Sequence, residues 1–403
     1  MIKTKTIIGI IVWLVATLFV VYSFALNTAA AVFSESIKNS LHASSLAASI
    51  AVGAFVLGFA LMQIPAGYLL DRYKAKWVVS GGVLILALGN LITSFANHLI
   101  IFTASNFLQG MGASFAFIAA GVLISRWFEL RLFPILFGLT QTISCICAGI
   151  LHYFFSLELQ TRTWNDIYQK LSIFGFILFV LCLLIISTPR SNQAQENISL
   201  SNSLKAVFKN NQIVLCAIAA AFSFGILLAY ASLWYSEVQK FYAVPELDAV
   251  VISGMIFAGI GIGTPILGWV SNRLQSRKVV LHVTLVIGTM ALLAGIYLPH
   301  YQIHNWLIVK TVSFLIGFFL SGSMLYYTVV AERSPDQYRG VALSVTNTAV
   351  FLLNSLMMII PLLMITSASK GFFTYLWVLP FAALIAILLN YFIKETYQKS
   401  IQE

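Results

Sequence analysis

Few side chains here can do chemistry, and most of them stand where an apolar run meets a turn. The 403 residues carry only 13 Asp and Glu against 23 Lys and Arg, and 60% of the chain is hydrophobic. Asp71, at the end of one run, is a carboxylate that can accept from a helix N-terminus or a basic partner. Lys310 lies four residues beyond Trp306, roughly 6 Å along a helix. It can anchor a substrate carboxylate or other anion, or its stem can snorkel to the interface. His152 reads first as a hydrogen-bonded packing histidine, with a proton relay as the functional alternative. Glu35 and Glu237 are the carboxylates nearest an embedded position, both toward the outer face, and they join His152 as candidates for proton coupling. No loop carries a nucleophile–base pair, a metal-ligand spacing or a nucleotide-binding loop. An enzyme is therefore not expected, nor a cofactor.

The elements that position these groups are apolar helices. Charged residues make up 9% of the chain, against about 25% in soluble domains, so lipid must solvate the apolar surface. Runs near 20 residues fall at about 7–33, 46–70, 77–96, 99–125, 132–156 and 171–188. Six more fall at about 212–236, 247–271, 279–298, 306–330, 340–366 and 371–393. The first run is about twice the core of a secretory signal and reads as an uncleaved span. With the N-terminus inside, 17 of the 23 Lys and Arg residues lie on the cytoplasmic side, which puts both termini there. No basic cluster is interleaved with stacking aromatics, so nucleic acid is not an expected partner. The four cysteines all fall inside apolar runs and read as small buried hydrophobes.

The chain also repeats. Gly67, Asp71, Arg72 and Lys76 are echoed 201 positions later by Gly268, Asn272, Arg273 and Arg277. A second echo pairs Arg126–Arg131 and Thr140-Gln141-Thr142 with Glu332–Gly340 and Thr346-Asn347-Thr348. The long polar connection at 188–211 separates the copies, and its Ser203–Lys209 part has the pattern of an amphipathic surface helix. The expected fold is an all-α integral membrane protein with twelve transmembrane helices in two six-helix pseudo-repeats, residues 1–188 and 212–403, joined by a cytoplasmic linker at 189–211.

On these features the chain resembles the major facilitator superfamily in its bacterial form. The family motif after the second span is Gly, then Asp-Arg, then a basic cluster; Gly67, Asp71, Arg72 and Lys76 match it. Lys74 and Ala75 depart from it, and Asn272 stands where the second copy would have an acid. The resemblance implies that Gly67, Asp71, Arg72, Lys76 and Arg273 form a conformational latch; the alternative is that the basic residues serve topology alone.

The resemblance also implies a substrate site between the halves, near the bilayer midplane. Polar stripes at helical spacing supply candidates: Tyr22 and Asn27 in span one, Gln141 in span five, Tyr230 and Trp234 in span seven. Lys310 and Tyr326 in span ten, and Asn347 and Asn354 in span eleven, complete the set. Polar groups in hydrocarbon are costly without a partner or water, so the stripes mark either a wetted cavity or helix-packing faces.

Paired central arginines of sugar-phosphate exchangers are missing, as is the Gly- and Pro-rich span-five motif of proton-coupled drug antiporters. The expected function is a monomeric secondary transporter in the inner (plasma) membrane, working by alternating access. Its partners are the lipid bilayer, a small polar or amphipathic solute (a carboxylate, peptide or amino-acid-like metabolite) and a proton, another ion or no coupling ion. The alternatives are an exporter of drugs or siderophore-like compounds and a non-transporting sensor on the same fold.

Overall fold

The computed structural model describes residues 2–189, 198–234, 246–297, 306–365 and 377–397. Among them the ordered structure is helical throughout. The first repeat gives α1 (Ile2–Ser40), α2 (Ser45–Arg72), α3 (Ala75–Ser94), α4 (Leu99–Trp127), α5 (Phe133–Glu158) and α6 (Trp164–Ile185). A short helix, α7 (Leu200–Lys209), follows in the linker, burying Ser203 and Val207 and exposing Phe208. The second repeat gives α8 (residues 211–234), α9 (Glu246–Arg273), α10 (Arg277–Tyr297), α11 (residues 306–333), α12 (Arg339–Ile365) and α13 (Val378–Phe392). Eleven of these helices are long and apolar enough to cross a membrane, and α13 is a shorter apolar helix, so twelve apolar helical segments match the twelve runs. The protein is a multi-pass membrane protein. Leu61, Ile100, Leu184, Met290 and Leu388 are all more than 60% exposed, as side chains solvated by lipid tails are.

Helix ends follow local chemistry. Ser44 caps α2 by accepting from the Ala47 N–H. Thr163 and Asp166 form a capping box at the start of α6. Asn210 accepts from the Gln212 and Ile213 N–H groups where α8 begins. Pro65 and Pro265 lie inside α2 and α9 without breaking them, as membrane helices allow.

The chain divides into two compact units. One collects the described residues of Met1–Glu129, Ile143–Leu204 and Asp336–Ser344. The other collects Leu130–Thr142, Lys205–Pro335 and Val345–Glu403. Each unit thus contains the first turns of a helix whose remainder belongs to the other, α12 in the first unit and α5 in the second. Within the first unit α4 is the central helix, with 83% of its apolar window buried; in the second, 72% of the α8 window is buried.

The repeat extends into the packing. In the first unit α2 and α4 touch through Gly58 and Gly110, where an added Cβ would stand within 3.0 Å of backbone atoms of Phe107 and Phe59. In the second unit α9 and α11 touch in the same way through Gly259 and Gly317. Gly259 lies 201 positions after Gly58, the spacing of the echoed motif. Small residues of this kind let membrane helices gain backbone contact where no hydrophobic force draws them together.

Candidate functional site

The α2–α3 turn carries a buried carboxylate whose chemistry can be read atom by atom. Asp71, 5% exposed, accepts from the N–H groups of Gly340 at 2.7 Å and Val341 at 2.8 Å. These are donors of the first turn of α12, which have no partner inside their own helix. The negative charge also faces the positive end of the helix dipole. Two glycines permit the approach. A Cβ on Gly67 would stand 2.8 Å from the Gly340 carbonyl carbon, and one on Gly340 would stand 2.7 Å from the Asp71 Oδ1. Arg126 of α4 stands 4.0 Å from Asp71 and also donates to the Leu70 carbonyl at 3.0 Å. Arg339, at the head of α12, pairs with Asp336.

The other residues of the expected latch lie elsewhere. Arg72 turns outward, donating to the Tyr68 hydroxyl at 2.9 Å and stacking over the Tyr68 and Tyr73 rings. Lys76 stands over the Trp77 ring. Arg273 is exposed at the end of α9.

The matching turn of the second unit, between α9 and α10, is built on neutral bonds and one buried arginine. Gly268 meets the Pro134 carbonyl of α5, 2.8 Å from where its Cβ would be, as Gly67 meets Gly340. Asn272 donates from Nδ2 to the Arg131 carbonyl at 2.7 Å and accepts from Arg277 at 2.7 Å. Arg277 is 1% exposed. It also donates to the Ser271 hydroxyl at 2.6 Å and to Glu332 of α11 at 3.2 and 3.0 Å, and its guanidinium covers the Tyr397 ring. The segment after α13 closes the cluster. Glu395 accepts from the Ser276 hydroxyl and from the N–H groups of Arg277 and Lys278, and Thr396 donates to Glu332. Burial pushes the Glu395 carboxyl up, but the Ser276 hydroxyl and the N–H groups of Arg277, Tyr397 and Lys278 outweigh it and hold the group below the usual carboxylate range. Arg277 was visible in the sequence as the echo of Lys76. Its pairing with Glu332 and Glu395 was not, because nothing in the spacing links three residues up to 118 positions apart.

The solute-contact candidates divide sharply. In the first unit Tyr22 is buried with its hydroxyl spent, donating to the Leu171 carbonyl at 2.8 Å and accepting from Asn90 at 2.6 Å. Asn27 is exposed. Glu35 forms an exposed surface pair with Lys38 at 2.5 Å, and the His152 side chain is also exposed. In the second unit Gln141, Asn347, Tyr230 and Tyr326 are all buried. Tyr327 donates to Asn347 at 2.8 Å and packs 5.5 Å from Phe137, one turn before Gln141 on α5. Tyr326 donates to Asn390 of α13 at 3.4 Å. Lys310 is half-buried on α11. Asn354 is half-buried on α12, and its Oδ1 is enclosed with no hydrogen-bond partner among the described residues.

The backbone of α8 and α11 is irregular. Ala221–Gly225 and Tyr230–Trp234 in α8 are π-helical, and Ser321–Met324 in α11 is a 3₁₀ turn. Gly225 brings the first π segment against α12, where its Cβ would stand 2.7 Å from the Val350 carbonyl and 3.6 Å from the Asn354 N–H nitrogen. Single π turns inside helices cluster at functional positions. Trp234 ends the second π segment, and its side chain lies outside the described residues, as does Glu237 altogether.

The pattern of two repeats, each lending the head of a helix to a motif-bearing turn, defines a class of helical membrane proteins. The Major Facilitator Superfamily profile matches residues 15–358, and the chain belongs to that family. The chain is similar in fold to the proton:xylose symporter XylE, with a TM-score of 0.72 and 16% identity over 98% of each chain. It is likewise similar to the E. coli fucose:proton symporter FucP, with a TM-score of 0.72 and 15% identity, over 94% of this chain and 98% of that one. By sequence it is 22% identical over 196 residues to the multidrug resistance protein MdtL of Shewanella oneidensis, covering 49% of this chain and 50% of that protein. MdtL of Shigella dysenteriae is 25% identical over 187 residues, covering 45% and 47%. The chain spans about half the length of the curated relatives it matches.

Proposed function

We propose that the protein is a secondary transporter that moves a small polar or amphipathic solute across the inner membrane by alternating access, with both termini cytoplasmic. The observation that carries this reading is the Asp71 clasp: a buried carboxylate accepts two N–H groups from the head of α12, and both bonds are lost whenever that helix end moves away. A contact of that kind stores a conformational preference that a solute can offset. The sequence halves 1–188 and 212–403 are the moving parts, and Gly67, Asp71 and Arg126 form the latch. Arg72, Lys76 and Arg273 act on the membrane surface. The solute-contact group is Gln141, Tyr230, Lys310, Asn347 and Asn354. Asn354 offers an acceptor that has no partner among the described residues, and Lys310 is a cation for a carboxylate or other anion.

The MdtL likeness favours a second reading, in which the protein exports amphipathic compounds. One experiment separates the two. Purified protein in liposomes is given radiolabelled carboxylates, dipeptides, sugars and a fluorescent drug cation, each with and without an imposed pH gradient. Carboxylate or peptide uptake that falls in Lys310→Gln supports the first reading, and drug flux opposite to the proton gradient supports the second. No flux of any compound by folded protein refutes both and leaves a sensor.

A further inference from the structure

The two motif turns hold their neighbouring helix in different ways, and the sequence of α5 explains why. In the first unit the donors to Asp71 are the N–H groups of Gly340 and Val341. Gly67 faces the Gly340 carbonyl as Gly268 faces the Pro134 carbonyl, so Pro134 occupies on α5 the place that Gly340 occupies on α12. Proline has no N–H. A carboxylate at position 272 would lose one of the two donors that Asp71 uses, and it would face the Arg131 carbonyl that Asn272 now binds at 2.7 Å. An amide is the side chain that fits there, donating to that carbonyl and accepting from Arg277.

We propose that Pro134 is the positioning residue that makes the α5–α9 clasp neutral, and that this neutral clasp opens before the charged α2–α12 clasp when the cytoplasmic side opens. The inference rests on the alternating-access reading above. A neutral hydrogen bond contributes less than one to a charged group, and the difference of about 1.4 kcal/mol corresponds to tenfold in an equilibrium. The two helix heads therefore leave in order, α5 first, and the Asn272–Pro134 pairing fixes that order.

The test uses cysteine probes beside each clasp, Thr264→Cys and Ser344→Cys, since Thr264 packs on Gly138 of α5 and Ser344 on Gly67. Inside-out vesicles holding the full chain are treated with a membrane-impermeant maleimide, the probe-free protein giving the background of the four native cysteines. Labelling at Thr264→Cys is expected about tenfold faster than at Ser344→Cys. N272D alone should speed labelling at Thr264→Cys several-fold, because the acid meets a carbonyl. In a P134A background, where the N–H is restored, N272D should instead slow it by about tenfold. P134S restores the same N–H and carries the cycle if P134A does not insert.

That reversal of sign is a readout a merely destabilising substitution does not give. An identical effect of N272D in both backgrounds, or equal labelling rates at the two probes, overturns the proposal while leaving alternating access standing. Labelling at neither probe in folded protein overturns both.

Discussion

Replacing Asp71 by Asn is the most informative single change, because the structure fixes its cost. The aspartate accepts two backbone N–H groups at 2.7 and 2.8 Å in a site that is 5% exposed. Asparagine keeps one acceptor oxygen and turns its NH₂ toward the second N–H. One hydrogen bond to a charged group is lost, about 1.5–3 kcal/mol, and the interaction with the α12 dipole falls by up to about 1 kcal/mol. The carboxylate's own desolvation offsets part of this, so the net loss is about 2 kcal/mol, or roughly thirtyfold in the clasp equilibrium. Across the α5–α9 contact Asn272→Ala removes a neutral bond to the Arg131 carbonyl, about 1 kcal/mol or roughly fivefold; the bond Asn272 accepts from Arg277 lies within its own turn and does not enter that equilibrium. The assay is maleimide labelling at Ser344→Cys and Thr264→Cys in inside-out vesicles, with substrate flux in liposomes beside it. Asp71→Asn should raise Ser344→Cys labelling far more than Asn272→Ala raises Thr264→Cys labelling. Equal changes at the two turns would refute a one-sided charged latch.

Four further outcomes follow from the same contacts. Gly340→Ala places a Cβ 2.5 Å from the Gly67 carbonyl oxygen and 2.7 Å from Asp71, so it should cost about 1–3 kcal/mol and lower the melting temperature of purified protein by several degrees. Arg277→Met strands Glu332, which is 8% exposed, at a cost of about 3–5 kcal/mol; adding Glu332→Gln should recover much of it in the same melting assay. Glu395 is held below its ordinary range, so its stabilisation is complete above the unfolded value near pH 4.3 and is lost as pH falls through the lower folded value. Glu395→Gln should therefore lower the melting temperature at pH 7 and flatten its fall between about pH 5 and pH 3. Arg72→Gln, by contrast, should leave labelling at both probes within about twofold, since among the described residues Arg72 meets the Tyr68 and Tyr73 rings and the Tyr68 hydroxyl.

Much of the fold was legible in the residues themselves. Hydrophobic length determines a membrane helix almost alone, because an apolar run of about 20 residues has no other stable solvent than lipid. The repeat was equally visible, since Gly67 and Gly268 are needed at the same packing point in each copy. Polarity at Asp71 likewise announced a partnered carboxylate, because an unpaired charge at that depth is too costly to keep. Direction was the part that only the tertiary structure decided. Successive residues on a helix point about 100° apart, so Asp71 and Arg72 cannot share a partner, and the cation near Asp71 comes from Arg126 on another helix. A polar stripe has the same spacing whether it lines a cavity or packs on a neighbour. Tyr22 was assigned to its own unit by Asn90 and Leu171, residues 68 and 149 positions away. Among the described residues Asn354 keeps an acceptor unspent for the same kind of reason, since what surrounds a side chain is set by helices that the sequence does not place side by side.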